Sequence, residues 1–163
     1  GLQAVDALDV LGFCVSAAQL RAMNARLQAV LAIEAGAEYR LAAWLQGNDC
    51  ATARAALQET LPLPKRYRYW LQLVADYGEQ IRHWRELDGE ARWAILKASG
   101  SLRAAGDVLT LARLMRVEAS QLTEIENARE RVRALSVNTL AQRYQGAALG
   151  EAIRAAQIGC LCD

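Results

Sequence analysis

Both prolines of the chain, Pro62 and Pro64, fall in one stretch, Leu61–Pro62–Leu63–Pro64, and the sequence on either side has none. Proline removes a backbone donor and clashes with the preceding turn, so proline-free sequence can run as uninterrupted helix. Alanine and leucine dominate, β-branched residues are scattered, and there is one phenylalanine. These residue types favour helix over strand. The expected fold class is all-α, a compact array of about eight to ten helices joined by short turns.

Helical spacing of apolar residues gives the order. Leu2–Leu11 reads as a first helix, broken at Gly12 and Phe13. Ser16 caps Ala17–Ala35, with Leu20, Met23, Leu27, Val30 and Leu31 inward and Arg21, Asn24, Arg26 and Gln28 outward. Ala37–Gln46 brings Leu41, Trp44 and Leu45 inward, and Asp49 caps Cys50–Thr60 with Ala53 and Leu57 buried. Pro64 restarts the chain in the longest candidate helix, Lys65–Leu87, with a break at Gly78 as an option. Asp88 caps Gly89–Ser99, Asp107 caps Val108–Arg116 unless that helix begins earlier and tolerates Gly106, and Ser120 starts Gln121–Leu135. A closing pair of helices follows Ser136 and is joined by a turn at Gly146, which suits positive φ. The whole of 1–163 reads as one helical region, with 1–87 as body and 88–163 as tail if it subdivides.

With 53% hydrophobic and 23% charged residues, the 163-residue chain can bury a core. Its net charge is +1, so any nucleic-acid surface must be a local concentration of charge. No apolar run reaches the roughly 18 residues that span a bilayer. No signal-peptide layout opens the chain, so the expected compartment is the cytoplasm. It begins with Gly rather than Met, which fits a piece of a longer protein. The cysteines Cys14, Cys50, Cys160 and Cys162 lack CxxC spacing, and with one histidine no zinc set is expected.

The densest basic and aromatic stretch is Pro64–Lys65–Arg66–Tyr67–Arg68–Tyr69–Trp70. Basic residues neutralise phosphates and rings stack on unpaired bases. On a helix Lys65, Arg68 and Tyr69 share a face. The alternative is a helix start in which Trp70, Leu73 and Val74 enter the core and the charges are only solvated; both can hold together. Arg82, His83, Trp84 and Arg85 form a second group, which Arg92, Lys97 and Arg103 would extend as a basic strip. His83 has no nucleophile or carboxylate motif to serve, and reads as a histidine at a helix end. The Arg129, Arg131 and Arg133 series interleaves with glutamates as a solvated, ion-paired helix. Arg143 and Arg154 flank the glycine turn, where first-turn amides and a guanidinium suit a phosphate, and Gly150 leaves room for close approach. There is no P-loop, GxGxxG, GxSxG or HExxH, so no catalytic residue is assigned.

The run from Leu140 through Tyr144, Gly146, Leu149, Gly150, Ala152, Ile153 and Ala156 to Ile158 resembles the C-terminal segment of bacterial tRNA CCA-adding enzymes and related poly(A) polymerases. That segment typically reads KGPxLGxxLxxAR. Gln145 stands here for its lysine, Ala147 for its proline and Gln157 for a frequent basic residue. The order Arg40–Leu45, then Leu61–Arg66, then Trp84, Leu87, Leu96 and Leu109–Leu114 is similar to the helical half that follows the catalytic head. Where a phosphohydrolase branch of that family keeps a His-Asp pair, this chain has Gln46–Gly47–Asn48–Asp49, so that activity does not carry over.

The resemblance implies a body-and-tail region that grips tRNA or another structured RNA. Nucleotidyl transfer, with ATP or CTP and Mg, would belong to an N-terminal head absent from this sequence. The RNA-binding residues would be Lys65, Arg66, Arg68, Tyr69, Arg143, Gly146, Gly150 and Arg154. From a different class, the near-zero net charge and alanine-rich helices also fit a protein-interaction or oligomerisation module, such as a homodimer.

Overall fold

The Ser16 hydroxyl accepts from the Gln19 amide while the Gln19 side chain accepts from the Ser16 amide. This reciprocal box satisfies two backbone donors that the first turn leaves open. It fixes the start of α1, Ala17–Leu31. The structure, a computed structural model, describes residues 16–32 and 36–162. The expected helix Leu2–Leu11, Cys14 and the expected end of the second helix at 33–35 lie outside the described residues.

After α1 come α2 (Ala37–Trp44), a 3-10 turn (Asn48–Cys50), α3 (Ala51–Thr60) and α4 (Lys65–Arg82). A 3-10 turn at Trp84–Glu86 follows, then α5 (Gly89–Ala98), α6 (Val108–Leu114), α7 (Ala119–Arg133), α8 (Val137–Ala141) and α9 (Gly146–Gly159). The described residues contain no strand, so the chain is all-α, as its composition demands. Two compact units divide it, Gly1–Glu79 and Gln80–Asp163, and the division falls inside α4.

In the first unit α1 packs on α2. Met23, Val30, Ala42, Ala43, Trp44, Leu45, Ala53, Leu57, Trp70, Leu73 and Val74 are buried there. Tyr39 meets Trp70 edge-to-face with ring centres 4.8 Å apart, a geometry aromatic pairs prefer. Two side chains expected to point outward turn in. Asn24 accepts from the Trp44 indole at 3.2 Å. Arg26 donates to the Gln46 carbonyl at 2.6 Å and to both Asp49 oxygens at 3.1 Å. That pairing takes Asp49 away from its expected role as a cap; α3 has Cys50 at its N-cap, with no side-chain bond.

In the second unit α5 packs on α9, α6 on α7 and α8 on α9. Asp88 caps α5 as expected, accepting from the Ala91 amide at 2.8 Å. Asp107 occupies the N-cap of α6 without a side-chain capping bond. The Ser101 hydroxyl accepts from the first helical amide, that of Val108, at 3.2 Å. The helix that was to start after Ser120 begins at Ala119 behind Glu118. The helix expected to reach Leu87 runs through a buried Gly78 and ends at Arg82. Trp84 then turns inward, 2% exposed, on the 3-10 turn.

Arg92 is the largest departure from the sequence reading. The sequence sets it beside Lys97 and Arg103 as an extension of a basic strip, yet it is 6% exposed. Its guanidinium donates to the carbonyls of Trp84 at 3.2 Å, Leu161 at 2.8 Å and Arg85 at 3.3 Å. It also lies 5.6 Å from the centre of the Trp84 ring. A buried cation is tolerated when its donors are matched in this way. Arg92 therefore ties the end of the chain to the start of α5 and is withdrawn from any surface strip.

Candidate nucleic-acid interface

The first turn of α4 follows directly from the two prolines. The Leu61 amide closes α3 on Leu57, Leu63 turns on Leu61, and the amides of Tyr67 and Arg68 bond to the Pro64 carbonyl. Proline has no side-chain acceptor, so it cannot cap the remaining first-turn donors. Lys65, Arg66 and Arg68 stand exposed on this turn, and it carries no acidic residue. Helix N-termini are electropositive, so cations placed there oppose the dipole.

The three cations differ. Lys65 and Arg68 form no ion pair among the described residues. Arg66 lies over the rings of Tyr69 and Trp70, 5.5 and 5.4 Å from their centres, and donates to the Tyr39 hydroxyl at 3.3 Å. Its Nε also lies 3.9 Å from a Glu38 oxygen. Tyr69 is half-buried, edge-on to Trp70 with ring centres 5.5 Å apart. Trp70 is thus buried in the core while Lys65 and Arg68 face solvent.

The other expected residues belong to the second unit. The amides of Arg143 and Tyr144 bond to the Leu140 carbonyl, closing α8. Gly146 then reverses the chain at φ 57°, in the left-handed region that side chains resist. Ser136 holds the N-cap position of α8 without a side-chain bond, and so does Gln145 for α9. Arg143 is exposed, with no ion pair among the described residues. Gly150 is exposed, and nothing lies within 4 Å of where a Cβ would stand.

Arg154 does not hang beside the glycine turn as expected. Because α9 lies against α5, Arg154 pairs with Glu90 and sits 5.0 Å over the Trp93 ring. Lys97 lies 4.9 Å from the same ring centre. The Trp93 indole donates to Gln157 at 2.9 Å. Trp93 escaped the sequence reading, although Glu90, Trp93 and Lys97 stand three and four residues apart, the spacing that stacks side chains on one helix face.

The second basic group is engaged within its own unit. Arg82 donates to the Met115 carbonyl at 3.1 Å, and His83 lies 3.5 Å from Glu86. Arg85 reaches Glu124 at 2.6 Å and the Ser120 hydroxyl at 3.2 Å. That bond and the Glu124 charge raise its pKa further. On α7, Arg129 is only 9% exposed and bonds Glu130 at 2.9 Å and the Ala105 carbonyl at 3.1 Å. Leu102, Leu135, Val137, Leu140 and Ile153 line a groove of about 580 Å³, with Arg103 and Arg133 among its walls.

Among the described residues no cluster of three or more His, Cys, Asp or Glu side chains could hold a metal ion. None of their helices is long and apolar enough to cross a membrane. Comparisons with protein-family models, curated proteins and solved structures returned no match for this chain.

Proposed function

We propose that this chain is an RNA-binding helical region of a tRNA nucleotidyltransferase or poly(A) polymerase homologue working in the cytoplasm. It grips backbone phosphates while a separate N-terminal head, holding ATP or CTP and Mg, performs the transfer. The reading rests first on the resemblance of 140–158 and Leu61–Arg66 to that family.

The structural observation that carries it is the first turn of α4. Three cations crowd the positive end of an 18-residue helix whose own first turn has no acid, and of these Lys65 and Arg68 form no ion pair among the described residues. Each opposes the dipole by about 0.3–1 kcal/mol when exposed. An external polyanion supplies the charge that the helix itself lacks. Recognition would follow RNA shape and backbone, because the sequence shows no base-reading motif.

The test is a titration with tRNA lacking its terminal CCA, against an unstructured RNA of equal length, at low and near-physiological salt. Tighter binding to tRNA with a steep salt dependence is expected. Equal, weak binding to both RNAs overturns the reading. It would favour a protein-interaction or oligomerisation module, for which the apolar groove, with Val137 42% exposed on its wall, is the specific observation.

A further inference from the structure

Two cations share one ring on the surface of the second unit. Lys97 Nζ lies 4.9 Å and Arg154 Cζ 5.0 Å from the centre of the Trp93 indole. A ring face attracts a cation through its quadrupole. It does not neutralise the charge, so two cations gathered on one indole still repel each other. Arg154 has Glu90 as a counter-charge, while Lys97 forms no ion pair among the described residues. The cluster therefore holds two positive charges against one negative.

The ring is a fixed platform. Its N–H is tied to Gln157, which is 9% exposed. The Glu90 side chain, by contrast, is 67% exposed, and that of Arg154 is 51% exposed. Exposed ion pairs of this kind are weak and exchange readily with other anions. Aromatic rings interleaved with cations are what a sugar–phosphate chain with unstacked bases requires.

We propose that Lys97, Trp93 and Arg154 form a phosphodiester-binding site for RNA, and that Glu90 is the internal anion that RNA displaces. A backbone phosphate takes the place of the Glu90 carboxylate on Arg154 and lies within reach of Lys97. The adjoining ribose or base packs against the half-buried indole. This rests on the RNA-binding reading above and adds a second, independent contact, with Glu90 opposing it.

Glu90 makes the test directional. Glu90→Gln removes the competing anion and should tighten binding to tRNA lacking its CCA end by about two- to fivefold, the range of an exposed ion pair. Lys97→Gln should weaken it by about tenfold at low salt, as loss of a charged phosphate contact does. A gain in affinity cannot come from misfolding, so Glu90→Gln protects the test if Lys97→Gln folds poorly. Trp93 also supplies its own signal. Trp44, Trp70 and Trp84 are 7, 0 and 2% exposed, so the acrylamide-accessible emission belongs to Trp93, and bound RNA should shield it.

Unchanged affinity in both variants, with Trp93 still open to quencher, overturns this site. If Lys65→Gln/Arg68→Gln weakens binding in the same series, the RNA-binding reading survives that failure. If the wild-type chain binds no RNA, both fail together.

Discussion

Replacing Lys65 and Arg68 with glutamate should make the protein more stable and a poorer RNA binder at once. A fold-supporting role for these side chains cannot produce that pair of signs. At present the first turn of α4 has three exposed cations and no acid. An exposed charge near a helix end is worth about 0.3–1 kcal/mol, unfavourable for a cation at the N-terminus and favourable for an anion. Reversing Lys65 removes one term and adds the other. Arg68, further from the helix start, contributes less because the effect fades beyond the first turn. The net gain is about 1 kcal/mol, which in a chain of this size raises Tm by roughly 2–4 °C. Thermal melts at low salt measure it, and the gain should shrink as salt screens the dipole. RNA binding moves the other way. For the neutral pair Lys65→Gln/Arg68→Gln, loss of two phosphate contacts should lower the slope of log affinity against log salt by about 1.4–1.8. A lower Tm for the glutamate pair would show that the fold needs these cations. An unchanged salt slope for the glutamine pair would show that no phosphate meets them. Either result refutes the reasoning.

Three further outcomes are expected. Gly150→Ala should raise stability by about 0.5–1 kcal/mol, since the position is exposed within α9 and the added methyl meets nothing within 4 Å; urea midpoints test it. Arg92→Met should cost about 3 kcal/mol by the same measurement, because it strands three carbonyls that now share one buried guanidinium. The Glu130 carboxyl is held below its ordinary pKa, first by the hydrogen bond from Arg129 and with help from Arg133, while partial desolvation opposes them. A lowered folded-state pKa means this group's contribution is complete above the unfolded value and is lost as pH falls through the folded one. Carbon-detected NMR titration should show that low pKa, and Arg129→Gln should move it back up.

The sequence disclosed the helices well and their neighbours poorly, because capping and periodicity are local. Ser16 and Asp88 act as caps as expected, since each needs only amides a few residues ahead. Asp49 has the same local credentials, yet Arg26, 23 residues earlier in the chain, claims its carboxylate. Asp107 holds the N-cap position of α6 but makes no capping bond, and local spacing does not show that. The candidate site divides along the same line. Trp70 inside and Lys65 and Arg68 outside follow from helical spacing alone. Arg92 and Arg154 do not: the first is covered by carbonyls from two other segments, and the second meets Glu90 64 residues away. Charge counting along a sequence cannot tell an arginine that faces water from one that closes a packing seam.

Gly146 and Gly150, four residues apart, look alike in the sequence and differ in kind. Around both there is empty space where a side chain would stand. At Gly146 the objection to a side chain is one of handedness, since φ of 57° disfavours L residues whatever the room. A mirror-image residue would settle there without strain: D-alanine, introduced by chemical ligation, should fit the turn that L-alanine disturbs. Ribosomal synthesis has no such residue, so the chirality of the code favours glycine at this bend, although Arg116 at φ 59° shows that the fold can hold an L residue in this region at a cost. No such compulsion acts at Gly150, where an L residue would meet open space and ordinary helical backbone.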